Sequence, residues 1–310
     1  MKPRLLQVSG VVVDLLYAVD TVPGAGEEAI VRDFSVTPGG GFNAMVAARR
    51  AGMDVSYGGA LGTGPFASLV AQSLEREGIP TLVQRDALRD QGCCTVMIDR
   101  SGERTFVASD GAEGQASAEV LARLSQRGFD WTLLSGYALH YKGSQAAIQD
   151  WLDAAESPGY MIFDPSPVVA ALPTEALRAA LRRATWISAN RREAEVLSGC
   201  ADPIEAAQVL ARDRPAGGGA VVRDGSHGCV VATASHCDRV AAYSVSPVDT
   251  NGAGDTHLGS FVARLARGDE PIDAARYANV AAALSTMEWG PATAPSETIV
   301  TAAMHRDVAI

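Results

Sequence analysis

The strongest constraint on this chain is an alternation. From about residue 40 onward, short apolar runs trade places with longer segments of helical period. The runs 131–135, 160–164, 186–189 and 219–223 have the length and the apolar content of buried strands. Residues 119–127, 177–184 and 204–212 instead repeat their apolar positions at helical spacing, and another helix opens at residue 144. Earlier in the chain, 5–13 and 55–61 read as strands, and 42–51 and 67–77 as helices. Strands joined through helices run parallel, and a parallel sheet is covered on both faces. The expectation is an α/β fold of three layers, a mostly parallel sheet with helices on either side.

Two stretches escape the alternation. Residues 11–38 read as extended segments around Pro23-Gly24. Residues 94–108 read as a hairpin turning at Arg100-Ser101-Gly102-Glu103. Strands without helices predict a small β-sheet lid over the edge of the main sheet, inserted at about 11–38 and 94–108. No helix adjoins these segments to cover their second face, and exposed apolar strands are usually covered. A second copy is the simplest cover, so a homodimer joined through the lid is expected. A charge at Val96 or Phe106, whichever faces outward, is then expected to split it.

Charge and composition exclude several function classes. The net charge is −10, from 26 basic and 36 acidic residues, which leaves no electrostatic footprint for nucleic acid. No apolar stretch reaches the roughly 18 residues of a membrane span. Neither lysine, Lys2 nor Lys142, sits in a Gly-Lys-Ser/Thr phosphate loop. The five cysteines form no Cys-x-x-Cys pair, which speaks against a disulfide framework or a cysteine zinc site. Asp14 interrupts the apolar pattern that follows the N-terminus, so a signal peptide is not expected and the protein reads as cytoplasmic.

The sharpest motif is Asp249-Thr250-Asn251-Gly252-Ala253-Gly254-Asp255-Thr256. Leu258, Phe261, Val262 and Leu265 follow at helical spacing, and Gly268 ends the segment. A glycine-rich turn thus runs into a helix N-terminus, whose free N–H groups and dipole make an anion site. Gly252 and Gly254 let a phosphate reach the backbone. Asp255 stands in the first turn, where a carboxylate can take a proton from an attacking hydroxyl, or merely answer the dipole. The dipole predicts that Asp255 stays ionised and is a weak base.

A second glycine run, Gly39-Gly40-Gly41, precedes Phe42-Asn43. It allows close approach to the backbone, and Asn43 offers a donor and an acceptor, or a helix cap. Asp14 is the matching carboxylate, able to take hydrogen bonds from two neighbouring sugar hydroxyls. Asn190-Arg191-Arg192-Glu193 reads as a capping box, and its place after a parallel strand also suits magnesium and phosphate. Arg223-Asp224-Gly225-Ser226-His227-Gly228 reads as a turn, and the five histidines show no metal spacing.

Taken together, these motifs resemble the ribokinase-like, or PfkB, carbohydrate kinases in order and spacing over nearly the whole chain. The resemblance implies a single kinase domain over 1–310 with a Rossmann-like sheet and a β lid, and ATP-dependent phosphorylation of a hydroxymethyl group on a small carbohydrate. A nucleoside kinase of the same fold is the alternative. By the same resemblance Asp255 is the base, with Gly252, Ala253 and Gly254 as the anion hole. Asp14, Gly40, Gly41 and Asn43 hold the sugar, and Asn190 and Glu193 act on phosphate and Mg²⁺. Arg223, Gly225, Gly228 and Asn279 line the nucleotide. Asp249, with Ser285 to Gly290, approaches a monovalent cation, K⁺.

Three departures stand out. Pro38-Gly39 replaces the usual glycine doublet. Arg223 stands where ribokinases have a small hydroxyl residue. The strand ending Leu134-Ser135-Gly136 lacks the substrate-facing glutamate of ribokinases. The phosphotransfer half of the pattern is intact and the sugar half is altered.

Overall fold

A computed structural model describes residues 1–154 and 159–307. In chain order the first elements are β1 (Arg4–Gln7), β2 (Val11–Ala18), β3 (Asp33–Gly40), α1 (Gly41–Arg50), β4 (Asp54–Tyr57) and α2 (Pro65–Arg76). Next come β5 (Cys93–Ile98), β6 (Arg104–Ser109), α3 (Ala118–Ser125), β7 (Trp131–Ser135), α4 (Gly136–His140) and α5 (Lys142–Asp153). They are followed by β8 (Tyr160–Asp164), α6 (Thr174–Arg183), β9 (Trp186–Asn190), α7 (Arg191–Ser198), α8 (Pro203–Ala211) and β10 (Gly219–Arg223). The last are β11 (Cys229–Thr233), β12 (Cys237–Val240), α9 (Ala253–Ala266), α10 (Pro271–Ser285) and α11 (Glu297–Asp307).

The main sheet runs β12-β11-β10-β9-β8-β7-β1-β4 and the smaller one β3-β2-β5-β6. Strands β4, β1, β7, β8, β9 and β10 are parallel. Their side chains are buried on both faces, as in the Trp131-Thr132-Leu133-Leu134 run of β7. One face packs Met45, Phe261 and Val300 under α1, α9 and α11. The other packs Leu121, Ile148 and Leu210 under α3, α5 and α8. Trp186 meets Phe261 edge-on at 5.1 Å, and burying one such ring is worth about 2–3 kcal/mol. The expected three-layer α/β fold with a small second sheet is therefore what forms.

Three boundaries differ from expectation. The apolar run 5–13 is two strands in two sheets, because Ser9 and Gly10 carry the chain out of the main sheet between β1 and β2. A Cβ at Gly10 would press on the Glu113 side chain at 2.7 Å, and Ser9 Oγ accepts from the Ser135 N–H at 2.6 Å. β4 stops at Tyr57 instead of residue 61, where Gly58 and Gly59 begin a turn held by the Tyr57 hydroxyl on the Ala60 carbonyl. The alternation also ends at β10. Gly225 and Gly228, both at positive φ, fold the chain back so that β11 and β12 pair antiparallel at the sheet edge.

The smaller sheet is mixed. β2 pairs antiparallel with β3 and parallel with β5, and β5 and β6 form the expected hairpin. The register sorts its residues into two faces. Val12, Asp14, Val96, Arg104, Phe106 and Ala108 share one face, and Leu15, Tyr17, Phe34, Val36, Met97 and Val107 the other, on which Leu15 packs against the main core and Phe34 and Val107 are exposed. Val96 and Phe106, offered as candidates for the outward face, are cross-strand partners that both border the cleft described next.

Candidate active site

A cleft of about 370 Å³ lies between the lid and the carboxyl ends of the parallel strands. Its floor includes Gln7 from β1 and Ser135 from β7. These neighbouring strands continue to opposite sides of the sheet, which is where parallel sheets open a crevice. Its lid side presents Asp14 and Phe106, and its far wall Asp164, Glu193, Arg223 and Asp255.

Gly252 adopts the left-handed conformation, φ 74°, ψ 2°, which turns the chain into α9. Asp255 is then the third residue of the helix. The first N–H groups of a helix have no partner within it and point outward. The Ala253 N–H is drawn back to the Thr250 carbonyl at 3.3 Å, so Gly252 and Gly254 are the more open part of the expected anion hole.

Asn43 Nδ2 donates to Asp255 Oδ2 at 3.0 Å, while its own Oδ1 is buried without a partner. Burial pushes the Asp255 carboxyl up to about 6, against the Asn43 hydrogen bond that favours the ion. Asp164 raises it further and Arg223 opposes. The carboxyl remains mostly ionised at neutral pH, and desolvation makes it a stronger base than the helix dipole alone predicts.

The glycine run has a specific use at two positions. A Cβ at Gly39 would overlap the Asp14 carboxylate, and one at Gly41 would overlap the Gln7 amide. Gly40, at φ 58° and ψ −132°, adopts a conformation nearly confined to glycine and starts α1. Pro38 lies one step back in β3, opposite Val13, so the altered doublet falls in the lid strand rather than in the turn. Burial, then the Asp255 charge, raise Asp14 to about 7.

Glu193 and Asn190 form a complete capping box. Asn190 Oδ1 accepts from the Glu193 N–H at 2.9 Å, and Glu193 Oε2 accepts from the Asn190 N–H at 2.8 Å. Arg223 joins this corner to the turn that opens α9. Its Nη2 reaches Asp164 Oδ2 at 3.1 Å and Glu193 Oε2 at 3.4 Å, and its Nη1 donates to the Gly254 carbonyl at 3.2 Å. Burial and the Asp164 charge raise the Glu193 carboxyl, with Arg223 pulling the other way. Three carboxylates, Asp164, Glu193 and Asp255, surround this one guanidinium and leave negative charge in surplus.

Gly225, Gly228 and Asn279 stand outside the cleft lining. Gly225 opens to solvent, a Cβ at Gly228 would overlap the Val240 carbonyl, and the Asn279 amide donates to the Val240 and Ala241 carbonyls at 3.1 and 2.9 Å. Asp249 and Gly290 do meet, through the Gly290 N–H on Asp249 Oδ2 at 3.1 Å.

Sequence reasoning missed Gln7, Asp164, Ser135 and Ser166. Both polar atoms of the Gln7 amide are buried and unpartnered. Ser135 Oγ lies 2.8 Å from Ser166 Oγ, which lies 3.1 Å from Asp164 Oδ1. This polar chain occupies the ground of the missing glutamate. The available signal was position: each of Gln7, Ser135 and Asp164 is the last residue of a parallel strand.

The sequence matches the family model described as pfkB family carbohydrate kinase over residues 4–299. It is 27% identical over 304 residues to the uncharacterized sugar kinase YegV of Escherichia coli, covering 95% of this chain and 92% of that one. It is 27% identical over 280 residues to a ribokinase of Bacillus subtilis, covering 89% and 90%. The fold superimposes on the solved ribokinase of Giardia lamblia with a TM-score of 0.84 at 21% identity, over 99% of this chain and 100% of that one.

Proposed function

The chain belongs to the pfkB family of carbohydrate kinases and is an ATP-dependent sugar kinase, a phosphotransferase with an alcohol acceptor, and from that premise we propose how its cleft performs the transfer. Asp14, Asn43 Oδ1 and the Gln7 amide bind the hydroxyls of a small carbohydrate and turn a hydroxymethyl group toward Asp255. The acceptor oxygen attacks the γ-phosphorus of ATP, the bond to the β,γ-bridging oxygen breaks, and ADP leaves. The hydroxyl proton passes to Asp255. N–H groups of Gly252 and Gly254, with Ala253 between them, face the oxygens on which charge collects. The observation that carries this reading is Asp255 in the first turn of α9, bonded to Asn43 and facing the same cleft as Asp14.

Arg223 fixes the Gly254 carbonyl and thereby the anion hole. Asn190, Gly225, Gly228 and Asn279 are proposed to shape the nucleotide side, Gly228 and Asn279 by holding the edge strand in place. Magnesium suits the surplus negative charge around Glu193 and Asp164; the Glu193 oxygens already face Asn190 and Arg223, so the ion would be held through water or phosphate. Bound there, it offsets the charge of the triphosphate.

We further propose that 1–310 acts as one kinase unit whose lid excludes water from the transfer, and that two copies pair through the outer lid face. Among the described residues no helix is long and apolar enough to cross a membrane. The free cysteines support a reducing, cytoplasmic setting.

A second reading changes only the acceptor. Phe106, Tyr137 and Tyr141 border the cleft, and the two tyrosine rings stack at 6.3 Å, faces that also suit a base carried on a ribose. Thermal-shift screening against sugars and nucleosides, followed by a coupled ADP assay, tests both readings. ADP released with a free sugar supports the first, and ADP released with nucleosides alone the second. Binding of either class with no ADP formed refutes the proposed transfer.

A further inference from the structure

Arg104 stands on the cleft-side face of β6, in the lid. Its Nη2 donates to Oδ1 of Asp249 at 2.8 Å, and the Asp249 side chain is only 5% exposed. Asp249 begins the turn that leads into α9, and its Oδ1 also accepts from the Asn251 N–H at 2.9 Å. The lid therefore grips the turn that forms the anion hole.

This is the region in which the family resemblance expects a monovalent cation. Such an ion needs several oxygens with lone pairs free to face it. The Asp249 carboxylate and the Ser285 and Thr286 carbonyls are already engaged by protein donors. Asp249 Oδ1 is occupied by Arg104 and Asn251, and Oδ2 accepts from the Gly290 N–H at 3.1 Å. The Thr286 carbonyl accepts from the N–H groups of both Val248 and Asp249, at 2.7 and 3.0 Å. The Ser285 carbonyl accepts from the Thr293 hydroxyl at 2.8 Å, and the Ser285 hydroxyl donates to the Ala282 carbonyl at 2.8 Å. A guanidinium already supplies the positive charge. With the one carboxylate held by a guanidinium and the Ser285 and Thr286 carbonyls engaged, these groups do not fit a potassium ion.

We propose that Arg104 is the resident cation of this site, holding Asp249 and the anion-hole turn in place of a free monovalent ion. A guanidinium stays charged at any working pH, and here a single N–H holds the carboxylate, a contact that any tethered cation of similar reach can make. Tethered to the chain, it needs no ion from solution. Because it rides on β6, closing the lid and ordering the turn become one event. Arg104 acts through Asp249 and is a positioning residue.

The inference rests on the kinase reading, and its test has one arm that needs no acceptor. Wild-type turnover is compared in potassium chloride and in choline chloride at equal ionic strength, and the rates are expected to agree within about twofold. Arg104→Met is expected to lose roughly 10- to 100-fold in choline, as the anion hole drifts, and to regain part of the loss in potassium. Arg104→Lys is expected to keep its activity in choline. The acceptor-free arm is the melting temperature, which potassium should raise for Arg104→Met and leave unchanged for the wild type. A wild type that is silent in choline and active in potassium overturns the proposal. So does Arg104→Met at full rate in choline, or a folded Arg104→Lys that is inactive there. If no acceptor is ever found, the kinase reading fails, while the melting arm still decides the role of Arg104.

Discussion

Asn43 and Asp255 stand 212 positions apart in sequence and 3.0 Å apart in space, with the amide of one donating to the carboxylate of the other. The contact joins the first turns of α1 and α9, two helices packed on the same side of the main sheet. It leaves the second oxygen of Asp255 free to take a proton, while the Asn43 carbonyl is buried without a partner. The residue expected to hold the sugar is thus bonded directly to the proposed base.

Asp255→Asn is expected to lower kcat by roughly 100-fold or more, the usual scale for removing a general base, with ATP binding retained. The amide is close in size to the carboxylate, so the helix start should survive. Single-turnover phosphate transfer together with nucleotide binding by calorimetry checks both halves. A variant that turns over at nearly the parent rate removes Asp255 from the mechanism.

The acid limb of kcat/KM should report the same group. With Asp255 raised to about 6, activity is expected to fall tenfold per pH unit below that value, because the protonated carboxyl accepts nothing. Asn43→Ala deletes a hydrogen bond that favours the ion, so the limb should move to higher pH. A pH–rate profile of the two proteins is the measurement, and a limb that stays put or moves down contradicts the assignment.

Much of this site is legible in sequence because it is local. The 249–256 turn writes its glycines and its acid directly ahead of a helical pattern, and Gly39-Gly40-Gly41 does the same ahead of Asn43. Gln7 and Asp164 are different. Each is an unremarked polar residue ending an apolar run, and only the strand order brings them to one cleft. The β1–β2 break is hidden for a related reason: apolar residues continue through a change of sheet. Arg104 reads as a charge at a hairpin tip until the lid lays it on Asp249, 145 positions away.

Arg223→Met should destabilise the fold. The change strands Asp164 and Glu193, both largely buried, beside each other without their shared cation. Breaking a buried ion pair from one side costs about 3–5 kcal/mol. The urea midpoint at pH 8 is expected to fall accordingly, and adding Asp164→Asn should recover part of the loss. An unchanged midpoint means the guanidinium is not what balances this corner.

Stability of the ligand-free protein should decline as pH rises through the neutral range. Asp14 and Asp255 titrate at about 7 and about 6 in the fold, against 3.8 for the free carboxyl. Between these values the folded chain holds protons that the unfolded chain has released, so raising the pH favours unfolding. The loss begins above 3.8 and is complete above about 7, with Glu193 acting in the same direction. Asp20, Asp86 and Asp99 are shifted the opposite way and act below this window, and His257, lowered by burial to about 3, opposes part of the trend below about 6.5 without matching the three carboxyls. The melting temperature should therefore be higher near about pH 5 than near about pH 8, and Asp14→Asn should flatten the difference. A midpoint that climbs across this range contradicts the burial of uncompensated carboxylates in the cleft.

The lid faces make the last prediction. Leu15, Val36, Thr95 and Val107 lie in one cross-strand row on the side away from the cleft, next to the Tyr17–Phe34 ring pair. Phe34 is 50% exposed and Val107 60%, and β3 and β6 are both open edges. Apolar side chains beside free strand edges invite pairing, and a second copy presents the same complementary row. Light scattering should accordingly give a mass near twice 32.3 kDa, and Val107→Glu should return it to 32.3 kDa. Phe106→Glu is the control, since Phe106 borders the cleft: it should weaken acceptor binding and leave the mass alone. A parent protein that scatters as a single copy ends the dimer proposal, whereas a Phe106 variant that falls apart would mean the faces have been assigned the wrong way round.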